Sequence, residues 1–264
     1  MINELRKRHD FAVGIAHKAG ERGMDHFRAL DNLVIESKGH QDLVSNADKE
    51  LEAIIRDGIE QAFPADGIVG EEQDDRQGTS GFVWVIDPID GTANFVRGIP
   101  AWCVSIACAL DGEAVVGVVH EPATGETFHG LRGGGAFLNA RPIHASKSTS
   151  LGDGSLATGF SGRVDGANIV GLIGDLVGKG GVFFRNASGA LMLAYVAAGR
   201  LIGYCEEHMN SWDCLAGLLL VKEAGGRIVE PDPARAIAYG AVAVASGPLV
   251  FEDVLALARR HFRI

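Results

Sequence analysis

Asp87 and Asp90 close an unbroken apolar run, Phe82-Val83-Trp84-Val85-Ile86, and Gly91 and Thr92 follow at once. Such a run reads as a buried strand, so these acids sit where the chain leaves the core. Pro88 fixes its own φ and has no N–H, which ends the strand ladder and puts both carboxylates on a stiff corner. Gly91-Thr92 can open a helix whose unpaired N–H groups point at the same place. Carboxylates beside free backbone donors suit a hard divalent cation such as Mg²⁺, with a phosphate ester bridging the cation and the helix terminus. The alternative is structural, because Asp-Pro and Asp-Gly are also ordinary turn dipeptides that close a strand without any ligand.

Further acids are spread along the chain. Glu71-Glu72 follow Gly70, and a glycine there lets the chain turn sharply, aiming one carboxylate inward while the other supports it. Asp48 and Asp213 each fall in the first turn of a helical segment, where an acid can equally serve the helix dipole. Glu206, beside Glu207, reads on its own as a solvated loop acid.

The elements that must position these residues follow from hydrophobic periodicity. Leu5, Phe11, Ile15, Ala19 and Met24 predict a long amphipathic helix from Asn3 to about Ala29. Leu33 to Glu36 and 42–44 flank the polar turn 37–41 as a hairpin. Asn46 is the expected N-cap of a second helix carrying Leu51, Ile54, Ile55 and Ile59 and ending before Pro64. Ile68-Val69 is a brief strand, and the polar stretch Gln73 to Gly81 is expected to form a mobile loop that covers the site. Asp111-Gly112 between Val104 to Leu110 and Glu113 to His120 signals a hairpin. Gly133-Gly134-Gly135 is read as a tight turn, since no dinucleotide or Walker spacing accompanies it. Beyond a Ser/Gly/Lys-rich stretch at His144 to Gly154, strand-like pieces alternate with helical ones, which predicts α/β layering and two halves, 1–146 and 147–264.

Over 264 residues, 47% hydrophobic and 22% charged, the chain can bury a substantial core. A formal net charge of −10 argues against direct nucleic-acid or anionic-membrane binding, and a phosphorylated ligand would need bound metal to reverse the local field. The N-terminus lacks the long apolar core of a signal peptide, and no apolar run approaches a membrane span. Cys103, Cys108, Cys205 and Cys214 form no C-x-x-C pair and read as buried free thiols in a reducing cytosol, so a cytoplasmic protein without a zinc site is expected.

The string W-V-I-D-P-I-D-G-T-A-N-F at 84–95 resembles the signature of the inositol monophosphatase family of Mg²⁺-dependent, lithium-sensitive phosphomonoesterases. D-L-V-S-N-A-D-K-E at 42–50, G-E-E at 70–72 and W-D-C-L-A-G-L-L-L-V-K-E-A-G-G at 212–226 resemble further landmarks in the same order, departing at Leu215, where a small residue is usual. The resemblance implies a layered α/β/α/β/α sugar-phosphatase-like fold, with most metal ligands in the first half and substrate contacts plus the last metal aspartate in the second. By matching positions, Glu71, Asp87 and the Ile89 carbonyl would hold one Mg²⁺, and Asp87, Asp90 and Asp213 a second. The family also admits a third, weaker metal near Glu71. Asp48 and Thr92 would position the attacking water, the Gly91 and Thr92 N–H groups would bind phosphate, and Lys38 and Glu72 would stand behind the metals. Ser188, Ala190 and Glu206 match positions that contact the alcohol. A homodimer and a small phosphorylated polyol, foremost inositol 1-phosphate, are implied. Relatives with nearly the same metal core hydrolyse histidinol phosphate, fructose 1,6-bisphosphate or nucleotide 3′-phosphates, and a regulatory protein-binding role is the alternative of another class.

Overall fold

The structure is a computed structural model that describes residues 2–39 and 42–264, without the side chains of Lys38 and Asp42. The expected turn at 37–41 therefore falls partly on His40 and Gln41, outside the described residues, and the role expected of the Lys38 side chain lies outside them too. Leu5, Ala12, Ile15, Ala16 and Ala19 line the buried stripe of α1 (Ile2–Phe27). Gly20 and Gly23 are its points of closest approach to the sheet: a Cβ would come within 2.5 Å of the His120 ring at the first and 2.7 Å of the Trp102 ring at the second.

A two-stranded hairpin, β1 (Ile35–Gly39) and β2 (Asp42–Ser45), leads into α2 (Asn46–Ala62). Ser45, not Asn46, caps this helix: its hydroxyl accepts from the Ala47 N–H, and Asp48 at the third helical position reaches back to the Ser45 N–H in a capping box. The Asn46 side chain instead accepts from the Val34 N–H and ties the helix to the preceding chain.

A seven-stranded sheet is built from β3 (Gly67–Gly70), β4 (Phe82–Asp90), β5 (Cys103–Leu110), β6 (Glu113–Glu121), β7 (Glu126–Leu131), β8 (Gly135–Leu138) and β9 (Arg141–Pro142), paired in that order. Only β3 and β4 are parallel. The one-turn α3 (Thr92–Phe95) follows β4. The second sheet has the order β11-β10-β12-β14-β13, from β10 (Ser155–Thr158), β11 (Val182–Phe184), β12 (Gly203–Met209), β13 (Arg227–Ile228) and β14 (Ala241–Ser246). Its helices are α4 (Gly166–Gly178), α5 (Gly189–Ala197), α6 (Ser211–Glu223), the short α7 (Ala236–Tyr239) and α8 (Phe251–His261).

Three apolar cores separate five layers. The first joins α1 and α2 to the seven-stranded sheet, the second holds α5 and α6 between the two sheets, and the third joins the five-stranded sheet to α4 and α8. The fold is thus the α/β/α/β/α sandwich. Because α6 has a sheet on either side, it is apolar all round, as a doubly covered helix must be. Leu215 packs into the middle core without conflict; smallness is needed instead at Gly117, where a Cβ would meet the Ala216 backbone at 2.7 Å, and at Gly217, where one would meet Leu193 at 2.5 Å. Among the described residues no helix is long and apolar enough to cross a membrane.

Two expectations change. Pro88 does not end β4, because a bulge carries the strand past it and pairing with β5 resumes at Asp90. The segment 73–81 does not cover the site. Arg76 pairs with Ile68 at the free edge of β3, and the N–H groups of Thr79 and Ser80 both reach the Ala65 carbonyl, so this stretch closes the sheet edge.

Candidate active site

Strand parity decides where the two aspartates point. Trp84 and Ile86 face α1 and α2, while Val85 faces the middle core, so Asp87, two residues on, also points toward α6. Asp87 pairs with Ser105 and Asp90 with Cys103, three residues of β4 against two of β5. That one-residue bulge returns Asp90 to the same face as Asp87. Pro88 occupies the bulge, where its missing N–H removes nothing from the ladder. The Ile89 N–H closes an Asx turn on Asp87 Oδ1 at 2.9 Å, and Gly91, at φ 98°, swings the chain into α3.

From across the sheets, α6 presents Asp213 in its first turn, anchored by the Ser105 hydroxyl donating to the Trp212 carbonyl at 2.8 Å. One oxygen each of Glu71, Asp87 and Asp213 lies within 4.8 Å of the other two. Burial first, then the charges of Glu71, Asp90 and Asp213, holds the Asp87 carboxyl well above the usual carboxylate range. Burial and the charge of Asp90 push Asp213 up to about 8, against the pull of its contact with Asp87. Oxygen donors this close and mutually repelling, buried at Asp87 and half-buried at Glu71 and Asp213, fit a small, hard divalent cation between them.

Asp90 belongs to the same charge cluster but is held differently. Its Oδ2 accepts from the Ser188 hydroxyl at 2.6 Å and the Ala190 N–H at 2.7 Å, and its Oδ1 from the Gly189 N–H at 3.3 Å. These donors at the start of α5 oppose the upward push of burial on Asp90. Ser188 and Ala190, expected at the substrate, are both fully buried behind Asp90, where the Ser188 hydroxyl and the Ala190 N–H meet its carboxylate, and the neighbouring Ala187 and Gly189 line the cavity.

Thr92 and Asp48 are brought together. The Thr92 hydroxyl lies 3.2 Å from Asp48 Oδ1 and 3.0 Å from the Ile89 carbonyl, both acceptors for its single proton. Asp48 Oδ2 is already held by the Ser45 N–H at 2.8 Å and the Ser45 hydroxyl at 2.6 Å, which opposes the upward shift that burial imposes.

Next to the carboxylates opens a cavity of about 160 Å³, lined by Asp90, Asp213, Glu206, Arg185, Phe160 and Met209 among others. It lies beyond the carboxyl ends of the parallel strands β10 and β11, where open α/β sheets place their ligands. Glu206 is buried in its wall and hydrogen-bonded by the Tyr204 hydroxyl. Burial pushes its carboxyl up to about 7, against the pull of Tyr204 and Arg185. Sequence reasoning missed the Gly159-Phe160-Ser161 segment after β10; the available signal was a glycine ending a strand. A Cβ on Gly159 would lie 1.8 Å from Glu206 Oε2, and the buried Ser161 hydroxyl has no hydrogen-bond partner among the described residues.

A sequence model described as the Inositol monophosphatase family matches residues 4–262. The chain is 42% identical over 217 residues to an inositol-1-monophosphatase of Rhizobium meliloti, covering 81% of this chain and 82% of that one. It is 38% identical over 250 residues to the Nus factor SuhB of Escherichia coli, covering 94% of each. Among solved structures, the extragenic suppressor protein suhB from Bartonella henselae superposes with a TM-score of 0.89 at 32% identity, over 95% of this chain and 98% of that chain.

Proposed function

The chain belongs to the inositol monophosphatase family and is a phosphoric monoester hydrolase, and from that premise we propose that it cleaves a small phosphorylated polyol, foremost inositol 1-phosphate, with Mg²⁺ in its carboxylate cluster. The observation that carries this reading is the convergence of Glu71, Asp87 and Asp213 from three separate elements onto one point beside a polar cavity. Glu71, Asp87 and the Ile89 carbonyl would hold one ion and Asp87, Asp90 and Asp213 a second, with a third, weaker ion near Glu71. When bound, such ions neutralise the phosphate and make water a stronger nucleophile.

The chain's own residues do the rest. Asp48 accepts the Thr92 proton, which leaves the Thr92 oxygen free to accept a hydrogen bond from the attacking water and hold it in line. The first N–H groups of α3, at Gly91 and Thr92, receive phosphate oxygens. Glu206, kept in place by Tyr204, accepts from hydroxyls of the alcohol, and Ser188 with the Ala190 N–H fixes Asp90. Water attacks phosphorus directly as the bond from phosphorus to the alcohol oxygen breaks, and no phosphoenzyme forms. The proton lost by the water offsets the one the departing alkoxide takes up. Residues 1–146 then supply most metal ligands, and 147–264 the alcohol contacts and Asp213.

Release of inorganic phosphate from inositol 1-phosphate, histidinol phosphate, fructose 1,6-bisphosphate and adenosine 3′,5′-bisphosphate, with and without Mg²⁺, tests the assignment. Fastest Mg²⁺-dependent turnover on inositol 1-phosphate is the expected result. Preference for one of the other three would keep the phosphatase and replace its substrate. A second reading, protein binding beside catalysis, is favoured by the likeness to relatives named Nus factor; a partner retained by an Asp213→Asn variant would support it.

A further inference from the structure

Behind Glu71 stand two buried, oppositely charged side chains one turn apart on α2. Glu52 is fully buried; its Oε2 accepts from the Glu72 N–H at 2.8 Å, and its Oε1 accepts from the Gln73 N–H at 3.1 Å and from Arg56 Nε at 2.7 Å. Arg56 donates onward from Nη2 to the Gln73 carbonyl at 3.0 Å and from Nη1 to the Asp74 carbonyl at 3.1 Å. The pair thus engages the backbone of 72–74 on both sides: two successive N–H groups meet the carboxylate and two successive carbonyls meet the guanidinium. Four hydrogen bonds with two buried side chains pin this stretch to α2.

We infer that Glu52 and Arg56 are positioning residues for the metal site, holding Glu71 at its place opposite Asp87 and Asp213 and thereby setting how tightly a divalent cation binds. The inference rests on the reading of that cluster as a metal site. A buried ion pair is a poor source of net stability, since desolvating both charges costs about as much as their attraction returns. The geometry gives this pair another use, because among the described residues the hydrogen bonds these two side chains make, apart from their mutual bond, all end on the three residues after Glu71. Asp48 lies one turn earlier on the same helix, four residues before Glu52, and meets Thr92. One rigid helix therefore fixes both the hydroxyl that faces the water and the carboxylate that faces the cation.

The test uses chelator-stripped full-length protein titrated with Mn²⁺ alone, with binding read from water-proton relaxation, so neither substrate nor turnover enters. Glu52→Gln puts an amide NH₂ against the N–H groups of Glu72 and Gln73 or against Arg56, and Mn²⁺ affinity is expected to fall about 10–100-fold. Glu71→Gln should fall by a similar factor, and the double variant should be no weaker than Glu71→Gln alone, because Glu52 acts through Glu71. Wild-type affinity in Glu52→Gln, or additive losses in the double variant, would overturn the inference. Should Glu52→Gln fail to fold by circular dichroism, Gly70→Ala decides. Its Cβ would sit 2.5 Å from Glu52 Oε1 and 2.9 Å from Arg56 Nη2, displacing the pair without changing any charge, and it too must weaken Mn²⁺ for the inference to stand. A wild-type protein that takes up no Mn²⁺ would instead overturn the metal reading beneath it, which separates the two failures.

Discussion

Asp87 is the residue on which the charges of the site converge, since Glu71, Asp90 and Asp213 all push its carboxyl upward on top of its burial. Removing one of these acids should have opposite effects on activity and on stability. Asp213→Asn is expected to lower turnover by about 10²–10³-fold or more. In chelator at a pH above about 8, where Asp213 is ionised, it should raise the melting temperature by about 2–4 °C, since one repelling charge then leaves the cluster. A melting curve in EDTA beside a phosphate-release assay checks both. Gly159→Ala would drive its Cβ into Glu206, raising KM for the alcohol at least about tenfold while leaving Mn²⁺ binding intact. Asp87 and Asp90 stood out in the sequence as charge closing an apolar run, whereas Asp48, Glu71 and Asp213, each with an ordinary structural reading, were singled out by the resemblance of their surrounding strings to the family's. Their supports were not. Ser188 and Ala190 reach Asp90 from about a hundred residues away, and Glu52 with Arg56 looks like any i, i+4 ion pair on an amphipathic helix, since nothing in the local pattern shows that both are buried.

Among the elements, β4 shows best how pattern and tertiary pairing share the work. Its apolar run foretold the strand, but the bulge that sets Asp90 on the same face as Asp87 depends on where β5 resumes pairing, which period-2 reading of one strand cannot supply. The segment 73–81 was misjudged for a similar reason: its polarity suggested a cover, whereas its backbone closes the edge of β3. Helix α1 makes a prediction of its own. His120 on β6 is pressed against Gly20, stacks edge-on with His17, and meets the Thr127 hydroxyl and the Glu126 carbonyl. Burial first, then His17, pushes its imidazole down to about 4. A histidine whose folded pKa is depressed binds its proton more readily when unfolded, so the protein should lose stability as pH falls from about 6.5 toward 4, by up to about 3 kcal/mol from this group. Urea unfolding at pH 7.5 and 4.5 measures the loss, and His120→Gln should flatten it; an unchanged pH slope would sink the account of how α1 docks.

For the molecule as a whole, the alternation of strand-like and helical segments beyond residue 154 pointed to α/β layering, while the five-layer order was implied by the family resemblance. How copies associate was not legible in that alternation, since no local pattern marks an edge that stays open. The homodimer that the family resemblance implies is proposed to form at β11, the edge of the five-stranded sheet, where Val182 and Phe183 are exposed, as are Val170 and Val177 of α4. Phe183→Glu is expected to convert a dimer to a monomer in light scattering; a wild-type monomer would contradict the proposal. The central claim is that a cation in the Glu71, Asp87 and Asp213 cluster drives hydrolysis of a phosphate ester. It is tested most directly by phosphate release from inositol 1-phosphate as Mg²⁺ is returned to chelator-stripped protein. The account predicts no turnover without metal, saturable recovery with Mg²⁺, suppression by lithium, and no recovery in Asp213→Asn. Turnover that survives chelation, or that Mg²⁺ restores equally in Asp213→Asn, would contradict it.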